Sequence, residues 1–102
     1  MKETNQLQFL QLVIGLQSSA WMLLGKVPNP IDEKIEKNLE AAKATIDTLI
    51  MLKEKTKGNL SKVEEETLNN AIQQLEINYI DEVSKDKKES KEDADEKKSS
   101  VV

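Results

Sequence analysis

The sequence predicts an all-α fold: a small three-helix bundle, built as a helical hairpin plus an N-terminal helix, with a disordered charged C-terminal tail. Three observations predict it. Leu, Lys, Glu, Ala and Gln are frequent, β-branched runs bounded by turn residues are missing, and the aromatic residues are only Phe9, Trp21 and Tyr79. Straight-chain residues lose little rotamer freedom in a helix, so this is a helical composition. Apolar residues recur at alternating three- and four-residue steps in three separate stretches, and Gly25 and Gly58 punctuate the chain between them. At 102 residues and a net charge of -4, one small domain is the ceiling.

The first helix is predicted near Asn5 to Leu24. No charged residue lies between Thr4 and Gly25, which raises the possibility of a membrane span. At 100° per residue, however, Gln8, Gln11, Gly15, Ser18 and Ser19 gather into one polar arc, so the segment is amphipathic. Met1-Lys-Glu-Thr-Asn5 lacks the charge pattern of a signal peptide, and the expected location is cytoplasmic. The apolar residues form two seams. Leu7, Leu10, Ile14, Gln17, Trp21 and Leu24 make one, and Phe9, Val13, Leu16, Ala20 and Leu23 the other. A bundle can cover both seams within one chain. Alternatively, one seam pairs with a second copy, and Leu12 and Met22 widen the apolar arc in favour of that reading.

Gly25, followed by Pro28, ends this helix. Asn29-Pro30 offers a restart, with Asn29 as cap and Pro30 in the first turn; Asn38 is a second candidate cap. Helix two is predicted over Ile31 to Lys57, because Ile35 is in phase with Leu39, Ala42, Ile46 and Leu49. Ala41, Ala44, Thr48 and Leu52 form a second stripe of smaller residues. Lys53, Lys55 and Lys57 stand in its last turn, where the helix dipole favours cations. Asn59-Leu60 makes the turn, and Ser61-Lys-Val-Glu64 is a capping box that opens helix three, Lys62 to Val83. Leu68, Ile72, Leu75, Tyr79 and Val83 carry its core stripe, with Ala71 alongside. The chain thus divides into a helical domain, residues 1–83, and a Lys/Glu-rich tail, residues 84–102, which has nothing to bury before Val101 and is expected to be disordered.

Three stretches carry a resemblance: Ser18 to Pro30, Asn38 to Leu52, and Glu54 to Ser61 with its run Lys55-Thr-Lys-Gly-Asn-Leu60. Together they resemble the bacterial family known as domain of unknown function 1844, over roughly Phe9 to Tyr79. The resemblance implies a small helical cytoplasmic protein and no particular activity. One departure is visible. In that family a Thr-Gly turn follows the Pro-x-Pro element, whereas Ile31-Asp-Glu-Lys-Ile-Glu-Lys37 reads as helix former here. If the family loop holds, Asn38 caps helix two and Ile35 has no core role.

Composition excludes several chemistries. With no His and no Cys there is no imidazole base, no soft metal ligand and no thiol nucleophile. Asp47, one turn after Lys43, suits a surface ion pair better than a general base, and Ser18 and Ser19 lack an activating partner. Glu64-Glu65-Glu66 points three ways around a helix start, so no metal site is expected, and three widely spaced glycines make no phosphate loop. No cofactor is expected. Nor does Lys53, Lys55 and Lys57 read as a nucleic-acid surface, because Arg is absent, Glu54 intervenes and the body is acidic.

The expected function is therefore non-catalytic: protein–protein interaction or self-association through the apolar face of the first helix, with Trp21 as anchor and Leu10, Ile14, Gln17 and Leu24 around it. The expected partner is another protein or a second copy, in a homo-oligomer, with no nucleic acid and no membrane. Gln17, a polar residue within the seam, would set register. The alternative is a small anion- or RNA-associated protein using Lys53, Lys55 and Lys57, or a small enzyme using Lys55, Lys57 and Asp47.

Overall fold

A computed structural model describes residues 4–87 with their side chains. Three helices pack against one another, α1 (Lys2–Leu23), α2 (Leu39–Lys55) and α3 (Lys62–Val101), and the described residues contain no strand. The all-helical fold expected from the sequence is the fold observed.

The end of α1 is built on Gly25, whose φ of 79° lies in the left-handed region that glycine enters without steric cost. The Lys26 amide donates to the Trp21 carbonyl and the Gly25 amide to that of Met22, both at 3.0 Å. This is the paired closure of a Schellman motif, and it turns the chain back toward the bundle.

Helix two does not begin at Ile31. Asn29 acts as a turn residue rather than a helix cap: its Oδ1 accepts from the Ile31 amide at 2.9 Å, and its own amide donates to the Lys34 carbonyl. Asp32 Oδ1 likewise accepts from the Lys34 amide, and Glu33 takes a φ of 59°. These local bonds offer the backbone an alternative to helix, which outweighs the propensity of Ile31 to Lys37. Ile35 is 63% exposed and so drops out of the core stripe. The cap is Asn38, in extended conformation, with its Oδ1 accepting from the Ala41 amide at 3.1 Å. Its backbone amide donates to the Leu23 carbonyl, which fastens the start of α2 to the end of α1.

The capping box at α3 forms as expected: Glu64 Oε1 accepts from the Ser61 amide at 2.7 Å, and Ser61 Oγ accepts from that of Glu64 at 3.3 Å. The expected stop at Val83 is corrected, since Ser84 to Lys87 continue the helix. Lys85 Nζ sits 3.1 Å from the Asp81 carboxylate one turn earlier, and Lys and Glu are good helix formers even without an apolar stripe. From Lys88 onward, the tail expected to be disordered lies outside the described residues.

The core draws Val13, Ala20 and Leu24 from α1 and its end, Ala42, Ile46 and Leu49 from α2, and Leu68, Ala71, Ile72 and Leu75 from α3. Thus the Phe9-Val13-Leu16-Ala20-Leu23 seam faces inward, with Phe9, Leu16 and Leu23 packed at its margin.

Candidate functional site

Contacts at both ends set the direction of the helices. Ser61 Oγ donates to Gln6 Oε1 at 2.8 Å, joining the starts of α1 and α3, and Lys26 reaches Glu82 where α1 has ended. α1 and α3 are therefore parallel, and α2 returns between their ends. This topology leaves part of the first seam outside. Leu7 is 57% and Ile14 53% exposed, and Leu10 between them is half-buried. Val63, in the first turn of α3 and level with Leu7 by the Ser61–Gln6 contact, is 50% exposed.

The expected partner-binding set is thereby split. Leu10 and Ile14 belong to the outer face. Gln17 is half-buried. Trp21 is half-buried, with part of its side chain packed against the core, and Leu24 is a core residue at 1% exposure, so Leu24 does not stand on a surface open to a partner in the way the seam pattern suggested. A heptad seam marks residues in phase, not residues on one side of a boundary; the chain turns inward after Leu23 and takes Leu24 with it. Leu7 was in phase with this stripe but outside the expected set.

The lysine group is also divided. Lys53 and Lys57 line a cleft of about 440 Å³ at the α2–α3 turn, floored by Ile50, Leu60 and Leu68, whereas Lys55 does not line it. Glu54 and Glu65 share its wall, and among the described residues neither lysine is engaged in an ion pair. Asn69 also lines it, and its Oδ1 is buried without a hydrogen-bond partner. Such an orphaned acceptor costs about 1–3 kcal/mol. Lys43 and Asp47 make no ion pair among the described residues, which corrects the surface pair expected of them; both line a shallow groove beside Tyr79 and Ile80.

One polar cluster was not anticipated. Glu82 is 93% covered and receives Lys26 Nζ at 2.6 Å on Oε1 and Lys37 Nζ at 2.8 Å on Oε2. Lys37 reaches Asp86 as well, at 2.6 Å. The hydrogen bond from Lys26, then that from Lys37, holds the Glu82 carboxyl down at about 2, and the bonds to Asp86 and Glu82 push Lys37 upward. The cluster ties both ends of the α1–α2 connection to α3. Its sequence signal was present, since Glu82 continues the seven-residue step Leu68–Leu75 and so falls on the core stripe.

Among the described residues no group of acidic side chains is arranged to hold a metal ion, and no helix is long and apolar enough to cross a membrane. The family model described as Domain of unknown function (DUF1844) matches residues 6–81. No curated protein and no solved structure matches the chain.

Proposed function

The chain belongs to the family described as domain of unknown function (DUF1844), whose description names no activity, and from that premise we propose a non-catalytic role in protein–protein interaction, with self-association through the outer face of α1. The observation that carries this reading is the charge-free stripe of exposed Leu7, half-buried Leu10 and exposed Ile14 on a chain whose net charge is -4. Two acidic copies repel wherever charges face each other, and the segment between Thr4 and Gly25 has none to oppose. A second copy is thus the occupant whose approach is least penalised.

A two-fold axis near Leu10 sets Leu7 of one copy against Ile14 of the other, so the stripe is complementary to itself. Leu10 lies on that axis, and the half-buried Gln17 stands at the edge of the contact. RNA association through Lys53, Lys55 and Lys57 is the weaker reading, because Lys55 lies outside the cleft and Glu54 and Glu65 share its wall.

Light scattering across a concentration series tests the proposal. The wild-type mass is expected to rise above that of a monomer, and Ile14→Glu, which places a carboxylate on each side of the axis, is expected to return it to monomer while its circular dichroism keeps the helical signal of the folded chain. A wild-type protein that stays monomeric at millimolar concentration defeats the reading, as does an Ile14→Glu variant of undiminished mass. Trp21→Glu is a poorer test, since Trp21 also packs against the core and its loss unsettles the fold.

A further inference from the structure

We propose that the α1–α2 connection is a charge-latched strap: a loop clipped at its neck by Glu82, which swings away from the end of α1 without unfolding the bundle when the contacts of Lys26 and Lys37 with Glu82 are screened or broken. The two ends of the connection meet. The Asn38 amide donates to the Leu23 carbonyl at 2.8 Å, and a Cβ placed on Gly25 would stand 3.4 Å from Lys37 Cβ. Residues 24–38 therefore form a surface loop of the Ω type, with a narrow neck. Its body is bonded to itself, the Asn29 amide donating to the Lys34 carbonyl at 2.9 Å and the Glu33 amide to that of Asn29 at 2.7 Å. Glu82, reaching in from α3, takes one lysine from each side of the neck.

What holds this loop down is polar. From Lys26 to Lys37 every residue is exposed except the half-buried Asn29, and none belongs to the buried core. Nor does the loop pack closely on α1: Asn29, Lys34 and Glu36 border a space of about 280 Å³ whose other side is Ser19, Met22 and Leu23. Apolar burial, the main force within the bundle, thus contributes little to keeping the strap closed. The latch is within reach of solvent ions, since the Lys26 and Lys37 side chains are 29% and 32% exposed although Glu82 is covered. A segment with few buried apolar contacts opens at a lower free energy than the whole fold, and here the gate is the charge at its neck. Opening uncovers the half-buried Met22 and Leu23. Leu23 stands about 180° around α1 from Ile14, so the surface under the strap is separate from the self-association face, and the two proposals stand or fall separately.

Amide hydrogen exchange on the isotope-labelled full chain, read residue by residue by NMR and corrected for intrinsic rates, tests the strap. The Asn38 amide reports the neck, and the amide of the buried Leu49 within α2 reports the bundle. In the wild-type protein Asn38 is expected to exchange at least about tenfold faster than Leu49. Raising NaCl from about 0.05 to about 1 M is expected to speed Asn38 about fivefold and Leu49 by less than about twofold, because salt screens the latch and not the core. Glu82→Gln is expected to speed Asn38 about tenfold at low salt and to abolish its salt response. Ile72→Val, which loosens the core ten residues before Glu82, is expected to speed Leu49 several-fold and leave Asn38 unchanged. Equal exchange of Asn38 and Leu49 in the wild-type protein, an Asn38 rate indifferent to salt, or a salt response that survives Glu82→Gln each overturn the proposal.

Discussion

Leu24→Ala is expected to lower the stability of the protein by about 3 kcal/mol, through the lost burial of the side chain and the cavity it leaves. Leu24 is 1% exposed and sits where α1 has ended and its chain turns under the loop. Its amide still donates to the Ala20 carbonyl, and the Gly25 closure follows immediately, so the backbone there has little freedom to collapse into the space. Urea denaturation reads the effect as a lower midpoint at unchanged slope. Ile14→Ala, at an exposed position of the same seam, is expected to change stability by no more than about 0.5 kcal/mol. The pair of variants separates folding from recognition along one helix. A Leu24→Ala protein with wild-type stability would mean that the seam is not divided at the end of α1.

Glu82→Gln is expected to cost about 2 kcal/mol at neutral pH, because it removes the acceptor charge shared by Lys26 and Lys37 and leaves a buried amide facing two ammonium groups. The figure allows for the partial exposure of both lysine side chains, which water and salt screen. The sign of the pH dependence follows from the depressed carboxyl. Its value falls from 4.5 to about 2 on folding, so the stabilisation is fully present above pH 4.5 and is lost as pH falls toward 2. The difference in stability between wild type and Glu82→Gln is therefore expected to be constant from pH 5 to 8 and to close below pH 4. At the alkaline end the sign reverses. Lys37 is raised above its ordinary 10.5, chiefly by its bond to Asp86, so its contribution persists up to that pH and is lost beyond it. A stability gap that stays the same at pH 2.5 would show that Glu82 acts through packing alone.

Much of the architecture was legible because local signals agreed with one another. Gly25, the Ser61–Glu64 box and the apolar phases of all three helices predicted boundaries and core residues that the structure keeps. The start of α2 was misread where two local preferences conflicted. Ile31 to Lys37 has the composition of a helix, but the side chains of Asn29 and Asp32 capture the backbone amides such a helix would begin with. Ile35 shared the helical phase of Leu39 only by coincidence of spacing. The candidate sites were less legible, since each is assembled from separate elements. The four-residue step from Lys53 to Lys57 already puts Lys55 on the opposite side of the helix, but which of the two sides meets Leu60, Leu68 and Asn69 across the turn is not contained in α2. Nor does the body's surplus of acidic residues reveal that one of them, Glu82, is enclosed by lysines from the end of α1 and the connection before α2.

The two connections differ in length: residues 24–38 join α1 to α2, while residues 56–61 suffice between α2 and α3. Closing the shorter loop costs less chain entropy, so the α2–α3 hairpin is the unit able to form first during folding, with α1 arriving on it afterwards. Damage within the hairpin would then slow the approach to the native state, whereas damage along α1, Leu24 included, would mainly shorten the native lifetime.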